Sequence, residues 1–379
     1  MKKLVANNTS SILYCRSDGG QILDAGEMAH DLQKPTKEDV DNHLANGVFT
    51  LRRPGSYRPV IGLCALPPYS SWLIAKDGYE FVSDLRASRG RASSVSDVLN
   101  YAKRLLAKAG PNKRIGVELS GGLDSSIIIE FLLSQSVPVS LVAFTSSRYE
   151  FRTERAIQSH YQKLSQSVHL IPYEECLAFS GLEKVPPHPF PVQESLYFSR
   201  HLAAAKACRL LGVDILLSGE AGDQLLGLAP EACDNLGRAP KGFAYWNLAE
   251  LWSHQYVHIP QGTNYISGMA LGRLPAMILQ ARSGLAADHM KLWARRELSN
   301  YLPTILSDYA YKAFHDGWVI DGLQAACPAI FRMSNCAYEI THHPELKPGL
   351  MIDTAKHFRL LDHQQRAYFF TKLASFVKK

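Results

Sequence analysis

Residues 117–126 read VELSGGLDSS. An apolar run, RIGVEL (114–119), stops at a serine and a glycine pair, and an acid with two serines then opens a run of isoleucines. The spacing predicts a strand that turns sharply into a helix. Gly121 and Gly122 let the backbone approach a ligand without Cβ interference, so successive N–H groups can line an anion nest. The helix that begins there adds its positive N-terminal end, and Ser120, Ser125 and Ser126 add hydroxyl donors. Asp124 is the odd member, because phosphates repel a carboxylate unless a cation lies between them. It therefore predicts Mg²⁺, which favours carboxylate and phosphate oxygens. No GxxxxGK(S/T) string occurs, which excludes the common kinase and GTPase loop.

Strands and helices alternate downstream. VSLVAFT, SVHLIPY and VDILLSG read as strands, and DSSIIIEFLLSQ, TERAIQSHYQKL and SLYFSRHLAAAKACRLLG as helices. That alternation implies right-handed crossovers and an α/β fold with a doubly wound parallel sheet, whose ligands bind beyond the carboxyl ends of the strands. A second glycine turn, LLSGEAGDQLLG (216–227), lies at such an end. Ser218, Gly219 and Gly222 make it flexible, and Glu220 and Asp223 make it acidic. Asp223 is the candidate for a second metal ligand opposite Asp124, and Glu220 for a general base. The alternative is that these acids cap the next helix.

The first hundred residues are β-rich. GVFTLRR alternates, and SWLIAKDGYEFVSDL reads as a hairpin turning at Asp77-Gly78. A helix follows over SVSDVLNYAKRLLAKAG, with Ser96 as its expected N-cap and Gly110 just past its end. The expected domains are 1–100 and 101–379, with a border near 100–113. Beyond residue 230 the pattern is helical and aromatic, punctuated by Pro275, Pro303, Pro328 and Pro348.

Composition excludes several classes. With 46% apolar and 20% charged residues the 379-residue chain is a soluble globular type. It has no run near the roughly 20 apolar residues of a membrane span and no signal-peptide pattern. Its seven cysteines are scattered, without CxxC spacing, as expected of reduced thiols in a cytoplasmic protein. A net charge of +6 without a dense basic block argues against a nucleic-acid partner. The adjacent His342 and His343 diverge rather than converge on one ion, and VPPHPFPVQES (185–195) reads as a proline-set loop.

The two glycine strings together resemble the paired signatures of the PP-loop ATP pyrophosphatases, in the asparagine synthetase-like branch. There an SGGxDSS string holds ATP, and an SGEGADE-like string helps to bind pyrophosphate and magnesium. The resemblance implies cleavage of ATP between its α- and β-phosphates, an acyl-adenylate made from a carboxylate, and amide formation by an attacking amine. It places Ser120, Gly121, Gly122, Asp124, Ser125 and Ser126, with Ser218 and Gly219, around ATP, and Asp124 and Asp223 on Mg²⁺. Here EAGDQ replaces EGADE, keeping the Asp and losing the final acid.

Asparagine synthetases begin Met-Cys, whereas here Lys2 follows Met1. The N-terminal part resembles a worn, non-catalytic glutaminase-type β-domain, with GVF and FVSD in the expected order. That combination is similar to the lasso-peptide macrolactam synthetases, and also to the β-lactam synthetases. The divergent second string running into GLAPEA and the aromatic C-terminal half favour the lasso type. The family's C-terminal catalytic lysine finds its candidates in DHQQRAYFFTKLASFVKK, at Arg366 and Lys372, with Lys378 and Lys379 behind them; each is equally readable as solvated surface. The expected function is an ATP- and Mg²⁺-dependent amide ligase closing a peptide macrolactam. Its substrate would be a processed precursor peptide and its partner a leader-peptide-removing protease. The rivals are a small-molecule or β-lactam amide synthetase and a nucleotide-binding scaffold without turnover.

Overall fold

A computed structural model describes residues 95–108, 112–148, 151–164, 166–178, 180–181, 184, 197–226, 250–271, 274–281, 291–300 and 302–307, and the backbone of six N-terminal strands. Those strands form two three-stranded antiparallel sheets. One orders β1 (Lys2–Ala6), β5 (Ser70–Ala75) and β6 (Gly78–Ser83), and the other β3 (Ile22–Asp24), β2 (Leu13–Arg16) and β4 (Leu63–Leu66). The last pair of the hairpin is Ala75–Gly78, so Gly78 belongs to the strand rather than to the turn expected at Asp77-Gly78. GVFTLRR lies outside the described residues.

Five parallel strands build the main sheet: β7 (Ile115–Glu118), β8 (Val139–Thr145), β9 (Ser167–Pro172), β10 (Ile215–Ser218) and β11 (Asn264–Ser267). Their order is β11-β10-β7-β8-β9. The inner strands are nearly all apolar and buried, as a sheet covered on both faces demands, whereas the edge strand β9 is mostly exposed. The sequence reading expected only helix after residue 230 and missed β11. Its NYIS has too little apolar content to signal a strand, and it pairs as an edge on β10 from Ile215–Asn264 to Ser218–Ser267.

Alternation along β8 sorts the core into two layers. Leu141 and Ala143 join one apolar cluster, while Val142 and Phe144 join the other. The first is covered by α1 (Val95–Lys108), α2 (Leu123–Leu133), α3 (Arg152–Lys163) and α6 (Leu274–Ala281), the second by α4 (Phe198–Leu211). Helix α2 is buried on nearly every side, which is why its sequence carries no amphipathic stripe. Helix α1 starts at Val95, so Ser96 sits in its first turn rather than capping it. Through Val98, Ala102 and Leu106 it packs into the sheet's core, so it spans the expected border at 100/101. Gly110 lies outside the described residues. Pro275 occupies the first turn of α6, where its missing N–H costs nothing.

A buried Tyr161 hydroxyl joins α3 to α2, donating to Glu130 Oε1 at 2.9 Å. Burial raises the Glu130 pKa, and this hydrogen bond pulls it back. Tyr161→Phe is expected to cost about 1–3 kcal/mol, because the acid loses a donor that water replaces poorly; urea melts of the two proteins measure it. No helix of the described residues is long and apolar enough to cross a membrane.

Candidate active site

The chain runs from β7 through β8 and β9 on one side, then returns to β10 on the other side of β7. The crevice between β7 and β10 is therefore the topological switch point, where ligands of such sheets bind. Both glycine strings leave the sheet there and touch each other. A Cβ on Gly222 would lie 2.3 Å from Asp124 Cγ and 2.6 Å from its Cβ, and one on Gly219 would lie 3.0 Å from the Ser125 nitrogen. Only glycine lets the second string close on Asp124. Ala221 takes the left-handed conformation, φ 65°, that the inverted order EAG imposes on a non-glycine residue.

The first turn is braced from within. Gly122 caps α2 with an extended backbone, and its carbonyl accepts the Ser125 hydroxyl at 3.2 Å and the Ser126 hydroxyl at 3.0 Å. The Gly122 N–H reaches Ser120 Oγ at 3.3 Å, and the Ser120 and Ser125 hydroxyls lie 3.1 Å apart. Ser125 and Ser126 are fully buried, so of the three expected donors Ser120 is the half-buried one. Gly121 has φ 74° and backs onto Glu154, whose Cα lies 2.7 Å from where a Cβ would be. Burial pushes the Glu154 carboxyl up to about 7, against the pull of its own backbone N–H and of Arg155 and Arg152.

Asp124 meets a residue the sequence reading missed. Lys291 Nζ donates to its Oδ1 at 2.6 Å and its Oδ2 at 2.5 Å, and the Lys291 side chain is 7% exposed. Nothing local signals this pairing across 167 residues. Lys291 has a left-handed backbone, φ 54°, and precedes α7 (Leu292–Glu297). Asp223 lies in the short helix α5 (Gly222–Leu226), but its side chain is outside the described residues, as are Arg366, Lys372, Lys378, Lys379, His342, His343 and the 185–195 loop. Among the described residues no group of three or more His, Cys, Asp or Glu side chains is arranged to hold a metal ion.

The second string is anchored by the loop after β11. The Ser267 hydroxyl donates to the Glu220 carbonyl at 2.7 Å, and the Gly268 N–H to the Ser218 carbonyl at 3.0 Å. The Glu220 N–H reaches Ser218 Oγ at 3.3 Å. Beneath the crevice lies a buried polar cluster. Glu118, on the face of β7 opposite Val117 and Leu119, pairs with Arg200 of α4 and accepts the Tyr265 hydroxyl at 3.4 Å. Arg200 also sits 5.1 Å from the centre of the Phe144 ring. The Glu220 carboxylate lies near enough to act electrostatically on both Arg200 and Tyr265. One cue was legible: a glutamate in the otherwise apolar IGVEL (115–119).

Three histidines share that layer. His201 lies 3.2 Å from the Ser253 hydroxyl, His254 Nδ1 accepts the Tyr265 N–H at 3.0 Å, and His258 stacks on the Tyr265 ring at 4.3 Å. His254 and His258 belong to one π-helical turn, His254–His258. Burial lowers all three pKa values, taking His258 to about 3 with His254 adding to it. A histidine whose folded pKa is depressed costs the fold nothing above the unfolded value, near 6.5, and destabilises it progressively as pH falls from there towards about 3, where the loss is complete. Neither His258 ring nitrogen has a hydrogen-bond partner among the described residues. His258→Phe keeps the stacked ring, so the variant should match or exceed the parent at pH 7. At pH 4.5 its advantage should grow by about 2 kcal/mol, as thermal melts at the two pH values will show.

No curated protein matches the chain. Among solved structures, it is similar to the NMN synthetase of Francisella tularensis, at 10% identity and a TM-score of 0.33 over 76% of this chain and 97% of that one. It is also similar to the U34-tRNA thiolase NcsA of Methanococcus maripaludis, at 14% identity and a TM-score of 0.31 over 73% and 91%. The asparagine synthase family model matches residues 107–355. That span is about two thirds of the chain and holds both glycine strings, all five parallel strands and Lys291. The chain therefore belongs to the asparagine synthase family, and with it to the ATP-dependent ligase-type enzymes.

Proposed function

We propose that this protein adenylates a side-chain carboxylate of a processed peptide and joins it to the peptide's N-terminal amine, closing a macrolactam. The observation that carries the ATP half is the meeting of the two glycine strings on Asp124 at the sheet's switch point. The peptide half rests on the resemblance to lasso-peptide macrolactam synthetases, carried by the worn glutaminase-like β-region and the divergent second string.

The glycine turn and the N-terminus of α2 would hold the phosphates through backbone N–H groups, with Ser120, Ser218 and Gly219 at the rim. Asp124 would hold Mg²⁺, which is usually bound by one or two carboxylates plus phosphates. Asp223 would be the second ligand. When bound, Mg²⁺ neutralises charge on the departing pyrophosphate. Glu220 would take the proton of the attacking amine, and Arg366 or Lys372 would steady the charge that develops as the adenylate is attacked. The site must exclude water from the adenylate and hold amine and carbonyl in attack geometry. A leader-peptide-removing protease would supply the substrate in the cytoplasm.

Mass spectrometry of peptides from cells expressing the gene with its genomic neighbours tests the proposal, with Asp124→Ala as control. A short peptide one water lighter than its linear form, absent in the control, is the expected product. An Asp124-dependent small amide instead would contradict the peptide substrate, and ATP binding without any product would contradict ligase activity.

A further inference from the structure

We propose that Glu154 is a positioning residue of the phosphate site: protonated, it backs the glycine turn as a neutral wall, and ionised, it opposes the polyanion from behind. The inference rests on the reading that the turn holds phosphates, and adds the control of that site by protons.

Gly121 joins the acid to the turn. It passes so closely over α3 that a Cβ would meet Glu154 Cα and Cγ at 2.7 Å and its Cβ at 3.0 Å. The Glu154 carboxyl carbon, one bond beyond Cγ, therefore lies within about 6 Å of the Gly121 Cα. Glu154 is 3% exposed, and neither carboxyl oxygen has a hydrogen-bond partner among the described residues. An acid kept this deep only to brace the fold is normally paired or hydrogen-bonded. Its neighbour Arg155 turns instead to the Ser146 and Arg148 carbonyls, the second at 2.7 Å.

The charges around Glu154 leave its proton loosely held near neutrality. Burial raises the carboxyl to about 7, against the pull of Arg155 and Arg152 on its own helix. The strands under α3 carry one titratable side chain, His169 of β9. The loop after β8 brings Arg148, and the glycine turn brings Asp124, which Lys291 holds. On α2, Glu130 is engaged by Tyr161, further along α3. Below pH 7 Glu154 is mostly neutral and adds no field at the turn. Above it, a negative charge stands behind the N–H groups that receive phosphate, in a setting poor in water where charges act strongly. Deprotonation and phosphate binding then oppose each other, so binding must draw a proton onto the acid.

The test is calorimetric titration, with Mg²⁺, of an ATP analogue carrying a methylene between the α- and β-phosphates. The proteins are the parent and Glu154→Gln, at pH 6 and pH 9, and their difference cancels the ligand's own titration. From pH 6 to pH 9 the parent is expected to lose about tenfold more affinity than the variant. At pH 7.5, titrations in two buffers of different ionisation enthalpy should show the parent taking up about half a proton more on binding. Should the glutamine variant fail to fold, as judged by its melting curve, Glu154→Met takes its place. Equal affinity profiles would overturn the proposal even if the melting temperatures diverge with pH, because an acid that only burdens the fold changes stability and not affinity. A parent that binds the analogue at neither pH would sink the phosphate reading and the proposal with it, whereas binding with equal profiles sinks the proposal alone.

Discussion

Replacing Arg200 with methionine is expected to cost about 3–5 kcal/mol, because it leaves Glu118 as an uncompensated charge inside the sheet. Glu118 is 4% exposed, and besides Arg200 the Tyr265 hydroxyl at 3.4 Å is its recorded donor. A loss of that size is a large share of the roughly 5–15 kcal/mol that holds most domains together. It should lower the melting temperature by about 10 °C. The companion variant separates charge from packing. Adding Glu118→Leu to Arg200→Met removes both partners, and a buried pair replaced by apolar groups is often neutral. Most of the lost stability should return in the double variant. Calorimetric melts of the three proteins measure the cycle, and a double variant no better than the single one would show that Arg200 stabilises by its bulk.

Gly222→Ala should act on the ligand more than on the fold. The added methyl would stand 2.3 Å from Asp124 Cγ, and a carboxylate on so short a side chain cannot move aside without leaving Lys291 or pushing the second string away from the first. Overpacking of this kind costs about 1–3 kcal/mol of stability, which the parallel sheet should survive. Nucleotide affinity is expected to fall at least about tenfold, since the carboxylate, its ammonium and the glycine turn lose their common geometry. Gly219→Ala, whose Cβ would come no nearer than 3.0 Å, should show the smaller effect. Equilibrium binding of ATP to both variants orders them.

How much of this was legible in the sequence follows from how far each signal reaches along the chain. The three inner strands could be read because a doubly covered parallel sheet needs mostly apolar runs, and RIGVEL, VSLVAFT and VDILLSG are such runs. β11 could not, because NYIS is short and mixes polar and apolar residues. The two glycine strings were legible because backbone approach to a ligand and the close contact of Gly222 with Asp124 both demand glycine. Ser126 was read as a donor to phosphate, yet it is fully buried and turned to the Gly122 carbonyl, since serines in a first helical turn readily bond back along the chain. Lys291, Arg200 and the histidines of the π-helical turn left no local trace. Each acts through a partner brought near by the fold, and a lone lysine in HMKLWARREL looks like any solvated helix end.

On the proposed function, the two glycine strings form one ATP site through Asp124. Its most direct test is calorimetric binding of an ATP analogue with a methylene between the α- and β-phosphates, with Mg²⁺, to the parent and to Asp124→Ala. Saturable binding by the parent and at least about tenfold weaker binding by the variant are expected. A parent that does not bind the analogue, or a variant that binds it equally well, would contradict it.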